Sequence, residues 1–303
     1  MIRSEEVGRI VFGCGNIGGL GSDPALRDNG DPRERALTLL DRARELGITR
    51  FDTANTYGGG LSERVLGEWL GRQGNGFRAR AEIATKVGNP AGCPPGERPL
   101  SGRQVALHLD ESLRRLRVEQ ISLYYLHEFD RATPLEETFA AIDAAARAGK
   151  IAAFGVSNAM LGDLEAVAEL ARQAPGVALT HVQNGFNRLE TADGAALIAF
   201  AQASGLKYVA FSPLAGGLLT GKYRSGAPAA ADSRLAAAPD FYAHLLNPET
   251  FAAIEGLKRQ AQANGWTTSG AALRFVLDYP GVDSLIIAPR SVEQFAAYGI
   301  AAA

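Results

Sequence analysis

Four residues of this chain combine types and spacing that suit proton chemistry at a carbonyl group. Asp52 closes the apolar run ITRFD, Tyr57 follows five residues later, Lys86 closes AEIATK, and His127 closes ISLYYLH. A free phenol, with a pKa of about 10, is a poor acid near neutral pH, and a neighbouring ammonium favours the phenolate and lowers that value. Lys86 can be that ammonium, Asp52 supplies the anion that keeps a pocketed lysine charged, and His127 offers a donor to an oxygen on which negative charge develops. The set suits proton donation to a carbonyl oxygen as a hydride reaches its carbon. Taken singly, each residue has a plain structural reading: a turn cap, a packed loop tyrosine, a solvent-reaching lysine, a satisfied histidine. Their joint occurrence at three consecutive strand ends sets them apart, and it still fits several barrel chemistries.

The elements that must position them are legible as short apolar runs, each followed by a segment of helical period. The runs are RIVFG (from Arg9), ITRFD (Ile48), AEIATK (Ala81), ISLYYLH (Ile121), IAAFGVS (Ile151), LTHVQN (Leu179), LKYVAFS (Leu206) and DSLIIA (Asp283). Alternation of this kind argues for a parallel sheet with crossover helices. Asp31, Pro32 and Glu34 read as N-cap, N1 and N3 of the first helix; Ser101 with Gln104, and Thr133-Pro134 with Glu136, read as capping-box starts. Gly47, Gly149 and Gly205 follow helical runs as terminators. Eight strand-then-helix cycles with no linker-like composition predict a single (β/α)₈ TIM barrel over residues 1–303, with a doubly wound open sheet as the alternative. A TIM barrel gathers its active site at the C-terminal ends of the strands, where the four residues lie. The long stretch 213–248, rich in Gly, Ala and Pro, reads as a loop covering a ligand.

Gly13, Gly15 and Gly18 spell G-x-G-x-x-G after the first apolar run, the pattern of a dinucleotide-binding turn. That turn works only where a helix begins at the glycines, because the pyrophosphate rests on the helix N-terminus. Here GLGSDPALRDNGDP follows, without apolar period, so the glycines are expected to let a strand end and a loop leave it.

The 303 residues are 46% hydrophobic and 21% charged, with 31 basic and 33 acidic residues and a formal charge of −2. No broad positive field invites a nucleic acid. No apolar run reaches membrane-spanning length, and the N-terminus lacks the apolar stretch of a signal peptide. Cys14 and Cys93 are far apart, and His108, His181 and His244 form no metal-ligand spacing with them, so a reducing cytoplasm and no metal site are expected.

GITRFDTANTYGGGLSERVLGEWL resembles the signature of the aldo-keto reductase superfamily, and IATKVG, ISLYYLHEFD, GKIAAFGVSN and VAFSPLAGGLLTGKY resemble its later blocks in order. The resemblance runs roughly from Val11 to Gln294. LAGGLLTGKY and the TPLEET helix start are most similar to the aflatoxin-aldehyde reductase branch and its bacterial relatives. The superfamily fold is a (β/α)₈ barrel, and its catalytic tetrad falls on Asp52, Tyr57, Lys86 and His127. The resemblance implies reduction of a small aldehyde or ketone by NADPH, with NADH possible, in a monomer or weak homo-oligomer.

It also implies where the cofactor lies. Ser157, Asn158 and Gln183 would bond the carboxamide, and Phe211 would stack on the nicotinamide. Ser212, Leu214, Gly216 and the run from Leu218 through Gly221 to Lys222 would line the pyrophosphate, and Gly13 and Cys14 would border the nicotinamide ribose. In APRSVEQ, Arg290 would grip the 2′-phosphate, with Gln294 beside it at the adenosine end. Ala288 and Tyr298 depart from the residues commoner at their positions. With the sequence ending at Ala303, substrate choice is expected to rest on the loops after Gly15, Tyr57 and His127. The same resemblance admits an NAD-dependent aldose or pyridoxal dehydrogenase and, from another class, a regulatory subunit like the potassium-channel β subunits.

Overall fold

The computed structural model describes residues 2–173, 176–231 and 233–300, so the chain end at Ala303 lies outside the described residues. Eight parallel strands close into a barrel in sequence order: β1 (Ile10–Gly13), β2 (Arg50–Asp52), β3 (Glu82–Val87), β4 (Leu123–Leu126), β5 (Phe154–Ser157), β6 (Leu179–Gly185), β7 (Lys207–Phe211) and β8 (Val282–Ile287). Around it run α1 (Arg33–Glu45), α2 (Leu61–Gly71), α3 (Asn75–Arg78), α4 (Gly102–Leu116), α5 (Leu135–Arg147), α6 (Leu161–Gln173), α7 (Ala192–Ala203), α8 (Arg234–Ala237), α9 (Pro239–Tyr242), α10 (Pro248–Ala263), α11 (Thr268–Asp278) and α12 (Val292–Ala297). The fold is the single-domain (β/α)₈ barrel that the eight apolar runs predict. None of the described helices is long and apolar enough to cross a membrane.

Side chains alternate between the two faces of each strand. Phe51 packs outward on Trp69, ring centroids 5.0 Å apart, and so turns Asp52 inward. Phe154 and Val156 join the wholly buried layer between strands and helices, which leaves Gly155 on the inner face. A Cβ on Gly155 would stand 2.6 Å from the Tyr125 ring, so the absent side chain makes room for that tyrosine inside the barrel.

Helix starts depart from the sequence expectations in one consistent way. Pro32, not Asp31, is the N-cap of α1, because the Asp31 carboxylate turns away to Arg35 and Arg290. Pro134 is the N-cap of α5, and the Thr133 hydroxyl donates to Asp130 instead. Ser101 does stand at the N-cap of α4, but its side chain makes no capping bond, and Gln104 donates to Glu97. The terminators hold: Gly47, Gly149 and Gly205 have φ of +83°, +72° and +69°.

The stretch 213–248 is not a bare loop. It holds a 3₁₀ segment at Ala215–Thr220, then α8 and α9, and Pro248 already opens α10 behind an Asn247 cap. Leu218, Leu219, Tyr223, Leu235, Tyr242 and Leu245 pack with α10 and α11 into a second apolar cluster. This excursion is therefore folded on its own small core, beside the end of β7.

Candidate active site

β2 ends at Asp52, and the chain then makes a 3₁₀ turn over Tyr57–Gly60 before α2. Gly58 in this turn has φ +56°, and a Cβ there would lie 2.5 Å from the Ile17 carbonyl oxygen. Only glycine fits that left-handed, crowded position. The turn thus seats against the loop after β1, and the Ser62 hydroxyl ties the two by donating to the Cys14 carbonyl at 2.9 Å. The opening glycines serve this packing: no helix begins at them, α1 starts only at Arg33, and a Cβ on Gly15 would touch the Tyr57 ring at 3.5 Å.

The structure brings all four tetrad candidates together. Lys86 Nζ is wholly buried, donates to the Asp52 carboxylate and to the Thr53 carbonyl at 2.9 Å, and reaches the Tyr57 hydroxyl at 3.2 Å. The Tyr57 and His127 rings meet edge to face, centroids 5.5 Å apart. Behind Lys86, Thr85 donates to the wholly buried Glu63 of α2 at 2.6 Å, and Arg115 of α4 reaches the other oxygen of that carboxylate at 2.6 Å. This network locks β3 to the two helices that flank it.

Burial by itself would lower the Lys86 ammonium, but the Asp52 carboxylate, helped by the Tyr57 phenol, outweighs it and holds the group above its ordinary value, charged. Tyr57 differs from the sequence expectation. Lys86 does favour its phenolate, yet removal from water weighs more, and the phenol stands above its ordinary value. Burial, with the Lys86 charge adding to it, pushes His127 well below its ordinary range, so its ring is neutral. Its Nδ1 is buried without a hydrogen-bond partner among the described residues. Burial also raises the Cys14 thiol, whose side chain is packed in the core.

The residues expected to hold a cofactor ring the same mouth. Asn158 donates to the His127 carbonyl at 2.8 Å, beside the buried Ser157. Gln183 donates to the second Asp52 oxygen at 2.8 Å and so holds the charge pair. Phe211 packs on Val11, Val209 and Ile286 inside the barrel. Gly216 lies against the Tyr242 ring, Gly221 lies against Lys258, and the side chain of Leu218 is buried in the second cluster. The partly buried Leu214 caps the 3₁₀ segment, and Lys222 is exposed over the Tyr223 ring. At the far side Arg290 pairs with Asp31 at 3.3 Å, and its main-chain N–H donates to Gln294 at 2.7 Å.

Backbone strain marks the same rim. Among the described residues four non-glycines have positive φ: Asn158 (+50°), Ser212 (+54°), Ala215 (+46°) and Arg117 (+58°), which ends α4. The other three follow β5 and β7, where a carboxamide and a pyrophosphate are expected. Left-handed non-glycine residues cost roughly 1 to 2 kcal/mol each and gather at ligand clamps, so the rim fits a dinucleotide.

One part of the site escaped the sequence. Arg234 of α8 donates to Asn16 at 3.2 Å and to the Tyr242 hydroxyl at 3.2 Å, and its charge is near enough to favour the Tyr57 phenolate. Asn16 in turn donates to the Ala288 carbonyl at 3.0 Å, linking the excursion after β7 to the ends of β1 and β8. The signal was there: a single arginine in ADSRLAAA, in a stretch made mostly of small residues. A cavity of about 390 Å³ between the loops after β3 and β4 is lined by Gly88, Pro90, Cys93, Phe129 and Arg131, among others, and by none of the four tetrad candidates. The loop after β3 packs at Gly92 against Asn55 and Thr56.

Residues 9–299 match the model of the aldo/keto reductase family. The chain belongs to that family. The relatives of this aldo/keto reductase include the oxidoreductase YrpG of Bacillus subtilis, 35% identical over 86% of this chain and 79% of its own length. L-glyceraldehyde 3-phosphate reductase of Escherichia coli is 32% identical over 86% of this chain and 77% of its own. Human aflatoxin B1 aldehyde reductase member 2 is 36% identical over 59% of this chain and 48% of its own. The chain is accordingly an NAD(P)H-dependent oxidoreductase of carbonyl compounds.

Proposed function

We propose that this enzyme reduces an aldehyde or ketone to the alcohol at the expense of NADPH, with Tyr57 as the general acid. The contact between Lys86 Nζ and the Tyr57 hydroxyl, 3.2 Å, carries the assignment. An ammonium has only donors, so it takes a lone pair of the phenol oxygen and leaves the phenolic hydrogen for another acceptor. That hydrogen is then available to a carbonyl oxygen beside His127, whose ring packs edge to face on Tyr57 and whose neutral form keeps one N–H to steady the same oxygen. The raised Tyr57 keeps its proton at neutral pH until a substrate takes it, and the charged Lys86, held by Asp52, then steadies the phenolate left behind.

When bound, a nicotinamide cofactor would supply the hydride for the carbonyl carbon. Ser157, Asn158 and Gln183 would hold its carboxamide and Phe211 its ring; Ser212, Leu214, Gly216 and Leu218 to Lys222, with Arg234, would take the pyrophosphate; Gly13 and Cys14 would border the ribose; Arg290 and Gln294 would take the adenosine end. The names of the Escherichia coli and human relatives, both aldehyde reductases, support an aldehyde as the substrate class.

Tyr57→Phe removes the acid and keeps the ring. In single-turnover reduction of an aldehyde panel it is expected to lose roughly 10² to 10⁴-fold in rate, the worth of general acid catalysis, while NADPH binding followed by protein fluorescence is unchanged. A wild-type rate in that variant would remove Tyr57 from the mechanism.

A further inference from the structure

We propose that Tyr125 is a positioning residue for the Lys86–Asp52 pair and acts on it through Gln183. The proposal rests on the reading of Tyr57 as the acid that Lys86 serves. Inside an eight-stranded barrel the side chains of alternate strands share layers, each member standing two residues beyond the register partner of the one before. Asp52 leads through Ala84 to Leu123, and so to Tyr125; Tyr125 leads through Gly155 to His181, and so to Gln183. Gln183 leads through Val209 to Ser284, and so to Ile286, which leads through Val11 to Arg50 and back to Asp52. Asp52, Tyr125, Gln183 and Ile286 thus form one closed layer of the interior. Tyr125 is buried and takes no part in the apolar layer between strands and helices that holds Tyr124 and Leu126. Its ring lies on Gly155, and its hydroxyl meets the side-chain amide of Gln183 in a hydrogen bond.

Asp52 accepts at both oxygens: one takes the Lys86 ammonium, and the other takes Gln183 Nε2 at 2.8 Å. Turned end for end, that amide would set its carbonyl oxygen against the carboxylate, and a repulsion would replace the bond. Gln183 is buried, where a lost polar bond is not regained from solvent. The Tyr125 hydroxyl, carried on a rigid ring, holds the amide in the bonding sense. Burial keeps the Tyr125 phenol far above its ordinary value, so it stays protonated and adds no charge to the layer. Loss of this hydroxyl frees the amide, loosens Asp52 and lets the Lys86 ammonium leave its place 3.2 Å from the Tyr57 hydroxyl.

The test is single-turnover reduction of the aldehyde panel at saturating NADPH and aldehyde. Tyr125→Phe keeps the ring on Gly155 and removes only the hydroxyl. Its rate is expected to fall about tenfold, the size of effect that one lost buried hydrogen bond gives. In a Gln183→Ala background the same substitution is expected to change the rate by less than about twofold, because the route to Asp52 is already cut. A wild-type rate in Tyr125→Phe overturns the proposal, and so does an equal loss in both backgrounds, the mark of a purely structural contribution. Tyr125→Met, which also lacks the hydroxyl and can refill the space, must show the same loss and the same dependence on Gln183. Tyr57→Phe in the same assay separates the underlying reading. A wild-type rate there removes the acid itself, whereas its loss beside a wild-type rate in Tyr125→Phe removes Tyr125 alone.

Discussion

At the scale of single residues the site is a balance between burial and charge. Lys86 is wholly buried and still carries its proton, because the Asp52 carboxylate is bonded to it and that carboxylate is in turn held by Gln183. Neither member is stable alone in such a place, since a buried charge without its counterpart costs about 3 to 5 kcal/mol. Lys86→Met should therefore unfold in urea with a loss of that order at pH 7, and Asp52→Asn should recover a large share of it when added to Lys86→Met. A double-mutant cycle measures this directly, and strictly additive losses would show that the two residues do not sustain one another. The same balance explains why residue types alone misjudge Tyr57. Sequence spacing brings the ammonium beside the phenol, but only the packed mouth shows that removal from water outweighs it.

At the scale of elements, legibility follows the range of the forces that shape each one. All eight strands were readable because a run such as ISLYYLH has apolar residues on both faces, as a strand buried in a parallel barrel demands, and a punctuated helix follows it. The meeting of Asp52, Tyr57, Lys86 and His127 was readable because strand ends, and the turn just after β2, aim their residues at one mouth. What depended on distant partners was not readable. Asp31 left its expected capping role for two arginines, one of them 259 residues away, and the excursion after β7 folded on a cluster completed by α10 and α11. The YGGG turn lies between these cases, since its glycines announce a turn but not what it presses against. Gly58→Ala should show what it presses against: the added Cβ meets the Ile17 carbonyl in a left-handed backbone, so a loss of about 1 to 3 kcal/mol is expected from strain and overpacking. Because the turn carries Tyr57, the reduction rate should fall as well. A variant of unchanged melting temperature and rate would mean that the turn does not position Tyr57.

At the scale of the whole molecule the barrel separates chemistry from stability. The C-terminal mouth holds strained backbone and a buried charge pair, while the opposite end is closed by a 3₁₀ segment, Ser4–Arg9, whose Arg9 donates to the carbonyls of Leu277, Val282 and Asp283 at 2.8 Å each. Glu6 of that segment is buried, receives both Nη groups of Arg274 at 2.7 and 2.8 Å, and is also bonded by Arg3. Hydrogen bonds from Arg274 and then from Arg3 hold its carboxyl far below the ordinary carboxylate range. A carboxyl depressed in the folded state contributes stability that is fully present above its unfolded-chain value, 4.5, and is lost as pH falls below that value toward the folded one. Glu6→Gln should therefore cost about 1.5 to 3 kcal/mol at pH 7, as expected for charged hydrogen bonds whose partner Arg274 keeps Asp278 at 2.8 Å. The gap between wild type and variant should then narrow by about 1.4 kcal/mol for each pH unit below the unfolded-chain value, because there only the unfolded wild-type chain binds the extra proton. Urea unfolding of both proteins at pH 7, 4.5 and 3.5 gives the comparison, in which the other carboxylates cancel. A gap independent of pH would mean that the base of the barrel is closed by packing alone and that the Glu6 charge contributes nothing to it.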